Sequence, residues 1–187
     1  MNNSHKILAL TTLFLFIAAP LSAQEAQNAL SEPIEKSETA QLTTMVDRLQ
    51  RILANHYVLY TKTQKYHWNV EGKHFNDLHA FFGTLYAAQQ KNIDLIAERI
   101  RALDAKVAST LQEFKSQATL TENPNNNPNE QEMIASLLHD YQILIAQLKT
   151  DLLFAQEQGD SATNNFLTDL VFQYEKTAWM LKALLAK

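Results

Sequence analysis

The reactive side chains of this 187-residue sequence concentrate at two points of one helical segment. Asp94 and Glu98 stand four apart, so on a helix their carboxylates meet on one face. Carboxylates joined by an imidazole form a donor set suited to ferrous and ferric iron. The histidine nearest that face on the same segment is His79. It lies about four turns away, or ~22 Å at the helical rise. One chain therefore cannot close His79 and Asp94 on the same ion. Either the two groups serve different purposes, or a neighbouring copy brings its histidine to the carboxylate pair across a two-fold axis. A plainer role competes: Arg99 and Arg101 follow directly and offer Asp94 and Glu98 ordinary surface ion pairs.

Helical projection at about 100° per residue sharpens the choice. His79, Gly83, Ala87, Gln90, Asp94 and Glu98 fall on a flank beside the apolar stripe of that helix. Small residues occupy the middle of the flank and candidate ligands its ends, a pattern better suited to close approach of a second copy than to a solvated face. His67 lies on the apolar face of the preceding helix; on its own it reads as a hydrogen-bonded core histidine, and His56 and His139 as core or surface groups. Glu71 and His74 spell the Glu-x-x-His pattern of bundle di-iron sites, but Gly72 interrupts it and the segment reads as a loop. Trp68 and Trp179, at helical spacing, read as packing residues.

The elements that must carry these groups are helical. Only 3 Gly and 4 Pro occur, and hydrophobic residues make up 46% of the chain. Apolar positions three or four apart predict a first helix from Ala40 to Asn69, ended by Gly72. Its stripe includes Met45, Leu49, Ile52, Leu53, His56, Thr63 and His67. A second helix is predicted from Phe75 to Leu103, its stripe including Phe75, Phe82, Tyr86 and Ile96. The connector 104–130 holds a short amphipathic piece, Leu111 to Phe114, and the run Asn123-Pro124-Asn125-Asn126-Asn127-Pro128-Asn129 is a loop. A third helix is predicted from Glu130 to Glu157, closed by Gly159, and a fourth from Ser161 to Leu185. Single-striped helices of this length must pack their stripes together. The expected fold is all-α, a ferritin-like four-helix bundle with a short extra helix between the second and third helices. Periodicity leaves a plain up-down-up-down bundle open.

The formal net charge of −4 gives no overall electrostatic attraction for nucleic acid. Absence of cysteine excludes disulfides, thiolate metal sites and cysteine nucleophiles. Residues 1–23 read as a signal peptide: Lys6, an apolar run from Ile7 to Ala19, then Pro20-Leu21-Ser22-Ala23. The run is short of the ~20 residues that span a bilayer. Export, to a bacterial periplasm, with no stable membrane insertion after cleavage, is the expectation. Residues 24–39 form an acidic lead-in, with Glu25, Glu32, Glu35 and Glu38 against Lys36. The bundle domain is expected over 40–187.

The stretch Tyr66-His67-Trp68-Asn69-Val70-Glu71-Gly72, followed by Phe75 and Leu78-His79, resembles the signature of the Dps family of miniferritins. Ile93-Asp94-Leu95-Ile96-Ala97-Glu98-Arg99-Ile100, Gly159-Asp160 and Trp179-Met180-Leu181 continue the resemblance, which covers residues 40–187. It implies a homo-oligomeric, twelve-subunit shell with ferroxidase sites at two-fold interfaces. It implies that His67 and His79 of one subunit and Asp94 and Glu98 of its neighbour bind iron. It further implies oxidation of ferrous iron, with hydrogen peroxide preferred over oxygen, ferric mineral stored inside, and Trp68 beside the site to intercept radicals. One position departs. Four residues after the second histidine the family usually has an acidic ligand; here Gly83 offers none. One firm iron position per site and a weaker second one are expected. A metal-binding shell protein of the cell envelope with weak or no catalysis is the competing function. DNA binding is not expected, because the lead-in is acidic.

Overall fold

A computed structural model describes residues 44–124 and 126–186. The expected signal segment (1–23) and lead-in (24–39) lie outside those residues. The helices are α1 (Met45–Asn69), α2 (Phe75–Ala102), α3 (Leu111–Gln117), α4 (Glu130–Glu157) and α5 (Ser161–Leu184).

Capping chemistry fixes the ends. Thr44, Thr110 and Asn129 each close a reciprocal capping box, with Asp47, Glu113 and Glu132 respectively. Each box satisfies two of the amide donors that a helix start leaves open. Thr44, in an extended conformation, thus starts α1 at Met45 rather than at Ala40. Gly72 and Gly159 take positive φ values of 116° and 69° where the chain turns between helices, a conformation glycine adopts without a Cβ clash.

Side-chain pairs give the direction of each helix. From α1 to α4 they run Arg48–Asp151, Asn55–Gln147, Lys62–Asp140 and Tyr66–Ser136. As the first number rises the second falls, so α1 and α4 are antiparallel. An up-down-up-down bundle would make the first and third long helices parallel. The chain is instead up-down-down-up, and the long connector carrying α3 against α1 makes the crossover.

The core is built from the predicted stripes. Leu49, Ile52, Leu53, Phe82, Ile96, Ile100, Leu137, Leu148, Leu167 and Leu181 are all 1% exposed or less, each contributing about 2 kcal/mol by burial. α1 also buries a second row, Asn55, Leu59, Lys62 and Tyr66, against α3 and α4. That row has a polar composition, so periodicity did not mark it. Asn55 joins Thr119 and Gln147, and Lys62 meets Asp140 at 2.6 Å. Burial raises the Asp140 carboxyl above its usual range, with Lys62 opposing the rise.

Three packing expectations need correction. Phe75 is 43% exposed, and Trp68 and Trp179 are 67% and 66% exposed. None of them faces the interior of the bundle. Phe75 sits at the first position of α2, where it stacks on His79 with ring centroids 5.2 Å apart.

Candidate metal centre

His67 lies in the last turn of α1 and His79 in the second turn of α2, the two helices being joined by the short turn through Gly72. The hairpin brings the imidazoles face to face, with centroids 3.7 Å apart and planes 21° from parallel. Each ring is held by the other residue's backbone. His67 Nδ1 donates to the His79 carbonyl at 2.7 Å, and His79 Nδ1 donates to the His67 carbonyl at 2.8 Å. A carbonyl oxygen can only accept, so both Nδ1 atoms carry hydrogen and, in the neutral rings, each Nε2 holds a lone pair. Among the described residues neither Nε2 makes a hydrogen bond. Fixing one ring nitrogen on a carbonyl while leaving the other open is the arrangement that orients a metal-binding histidine. His67 thus lies at the half-buried edge of the bundle, and the core reading of the sequence is set aside for it.

His56 shows the opposite arrangement. It is fully buried; Nδ1 donates to the Ile52 carbonyl at 2.7 Å, and Nε2 accepts from the Tyr174 hydroxyl. Burial pulls its pKa down to about 4, partly offset by the Ile52 carbonyl. This histidine is neutral and both nitrogens are committed, as the core reading expected. His139 is exposed.

Gly83 lies one turn beyond His79, directly against His67. A Cβ there would come within 3.2 Å of His67 Cε1 and 3.4 Å of Nδ1. The glycine therefore leaves the space into which the imidazole packs, as well as supplying no ligand. Tyr86, expected in the core stripe, is half-buried and also reaches His67. Its ring meets His67 edge-on with centroids 5.2 Å apart, and meets Tyr60 edge-on at 6.0 Å. Sequence spacing did not single out Tyr60 or Tyr86 as part of the site; both lie in apolar rows whose periodicity marks a face but not a neighbour.

Asp94 and Glu98 are exposed on α2, on the same open flank as Gln90 and Ala87. The two arginines that competed for them are engaged elsewhere. Arg99 bonds Thr163 at 2.8 Å and Asp160 at 2.7 Å, and Arg101 donates to the Ala105 carbonyl at 2.8 Å. Among the described residues neither Asp94 nor Glu98 forms a salt bridge. Within one protomer no group of three or more histidine and acidic side chains converges on a single point among those residues. The histidine pair and the carboxylate pair lie apart within one protomer. His74 is spoken for as well: it pairs with Glu130 at 2.9 Å, while Glu71 stays exposed, so the Glu-x-x-His spacing forms no site.

The chain matches the ferritin-like domain family over residues 46–187. It is 36% identical over 141 residues to the general stress protein 20U of Bacillus subtilis, covering 75% of this chain and 97% of that one. It is 33% identical over 141 residues to DNA protection during starvation protein 2 of Bacillus anthracis, covering 75% and 96%. Among solved structures it resembles a Dps protein of Vibrio cholerae, described as a member of the ferritin-like diiron-carboxylate superfamily. There the TM-score is 0.73 at 34% identity, over 76% of this chain and 89% of the other.

Proposed function

Because the chain belongs to the ferritin-like domain family and, within it, to the Dps miniferritins, we propose that it oxidises ferrous iron at sites shared between two copies, with hydrogen peroxide as the preferred oxidant. The ferric product is stored in a hollow homo-oligomeric shell of twelve subunits. The observation that carries this reading is the reciprocal anchoring of His67 and His79, which leaves the Nε2 of each half-buried imidazole without a hydrogen-bond partner among the described residues. His67 and His79 of one subunit face Asp94 and Glu98 of its neighbour. Two carboxylates neutralise a divalent ion and two imidazoles complete a mixed oxygen and nitrogen donor set, which suits iron. Loss of an electron from iron raises its charge, and carboxylates favour the more highly charged product over imidazoles alone.

Gly83 shapes the stoichiometry. With no acid at that position, His67, Asp94 and Glu98 remain to hold one iron firmly. A second ion has fewer ligands left to it.

Subunit mixing tests the shared site. His67→Ala/His79→Ala shells and Asp94→Asn/Glu98→Gln shells are each expected to lose peroxide-driven ferrous oxidation. Shells reassembled from an equal mixture regain about a quarter of the sites, because half of the two-fold pairs are mixed and each mixed pair restores one of its two sites. Failure of the mixture to recover activity would contradict a shared centre.

The reading includes export to a periplasm, carried by the order of charge, apolar run and small residues within 1–23. Recovery of the mature chain from a periplasmic fraction, cut near Ala23, is the expected result. It expects no DNA partner, since residues 24–39 are acidic and the whole chain has a net charge of −4. Plasmid should run unretarded with the protein at low salt, and a clear shift would contradict this.

A further inference from the structure

Reduction of hydrogen peroxide to water takes two electrons, whereas oxidation of one ferrous ion supplies one. A site that binds two irons meets the demand from its own metals. The Gly83 site, read as holding one iron firmly, does not. We infer that Tyr86 supplies the second electron, through its edge contact with His67, and that Tyr60 shares the resulting oxidising equivalent.

Three observations support this assignment. Tyr86 meets the His67 ring at a centroid separation of 5.2 Å and 73° between planes. Tyr60 continues the series at 6.0 Å and 83°, so the aromatic contacts form an unbroken line from the histidine pair along the α1–α2 seam. Gly83 and Tyr86 lie on the same side of α2, so the position that lacks a carboxylate and the ring that offers an electron flank the same imidazole. Trp68, by contrast, is 67% exposed on the protomer and its ring contacts neither histidine among the described residues.

The step balances as one ferrous ion, one hydrogen peroxide and one tyrosine giving one ferric ion, one tyrosyl radical, one hydroxide and one water. The O–O bond breaks, iron and the phenol each lose one electron, and both electrons go to the peroxide oxygens. The phenolic proton leaves with one oxygen as water. Tyr86 acts through His67 without touching iron, and it keeps the second oxidising equivalent on the protein instead of releasing hydroxyl radical.

This inference rests on peroxide-driven iron oxidation at the shared site, and the test separates the two. Assembled shells are mixed with one ferrous ion per site and hydrogen peroxide, frozen within the reaction, and read by electron paramagnetic resonance. The expected result is a tyrosyl signal that narrows when the protein carries ring-deuterated tyrosine. Tyr86→Phe should lose that signal and raise spin-trapped hydroxyl radical, with ferrous binding unchanged. Tyr60→Phe should keep the initial signal and shorten its lifetime. Iron oxidation without a tyrosyl signal in the wild-type shell, at two ferrous ions per peroxide, would overturn the inference and leave the shared iron site standing. So would an undiminished signal in Tyr86→Phe. No peroxide-driven oxidation at all would overturn both.

Discussion

His56 and His67 occupy the same helix, and their surroundings divide structure from chemistry. His56 is sealed in the bundle with both ring nitrogens bonded, one to Ile52 and one to Tyr174. His67 has one nitrogen bonded to the His79 carbonyl and the other unengaged among the described residues. A histidine whose two nitrogens both find protein partners stabilises the fold and has nothing left to offer a ligand. One whose ring is aimed by a single bond keeps a lone pair, and if it lies at an edge it is available. The same contrast holds among the acids. Asp151 is buried under Arg48 and Arg51, while Asp94 and Glu98 stand exposed with their neighbouring arginines drawn away to Thr163, Asp160 and Ala105.

The largest effect should come from breaking the buried side of the contrast. His56→Ala removes a fully buried ring and strands the Tyr174 hydroxyl, for an expected loss of roughly 2–4 kcal/mol of stability. Urea unfolding followed by circular dichroism would measure it, and iron oxidation per assembled shell should be unchanged.

A pH series on the wild type probes the same residue. The folded-state pKa of His56 lies at about 4, below its ordinary value of 6.5. Its contribution to stability is complete above pH 6.5 and is lost as pH falls towards 4. The full loss is roughly 3 kcal/mol at the usual conversion per pKa unit. Unfolding midpoints should fall across that window in the wild type and fall less in His56→Gln.

On the open side, His67→Ala should leave unfolding nearly unaltered and cut peroxide-driven ferrous oxidation. The reduction expected is at least on the order of 10–100-fold, the range seen when even an outer-shell partner of a metal is lost. The smallest effect is expected from Gly83→Ala, whose new Cβ presses on His67 Cε1 from 3.2 Å. A shift of the ring by a few tenths of an ångström should weaken ferrous binding by about 1 kcal/mol or less, a few-fold change readable by calorimetric titration.

Much of this was legible beforehand, and the reasons differ by feature. α4 runs from Glu130 to Glu157 as read from sequence, because Asn129 with Glu132 marks one end and Gly159 follows the other. The meeting of Asp94 and Glu98 on one helix face could be read from their spacing, whereas the set of His67, His79, Asp94 and Glu98 came only as what the family resemblance implies. The antiparallel relation of α1 and α4 was not, since periodicity carries no direction; it emerges from the Asn55–Gln147 and Lys62–Asp140 contacts. Nor was the depth of His67, because a position on an apolar stripe does not distinguish the centre of a bundle from its rim. As a helix-interior glycine, Gly83 costs stability without a compensating reason visible in the sequence. Its contact with the imidazole needed two helices in place.

The shared iron centre is tested most directly by anomalous scattering at the iron edge from crystals of the assembled shell soaked in ferrous salt. The account predicts one strong iron peak at each site, within bonding distance of His67 Nε2 of one subunit and of Asp94 and Glu98 of the neighbour. A weaker peak, or none, is expected beside His79 and Gly83. Iron bound only within single subunits, or two peaks of equal strength at every site, would contradict it.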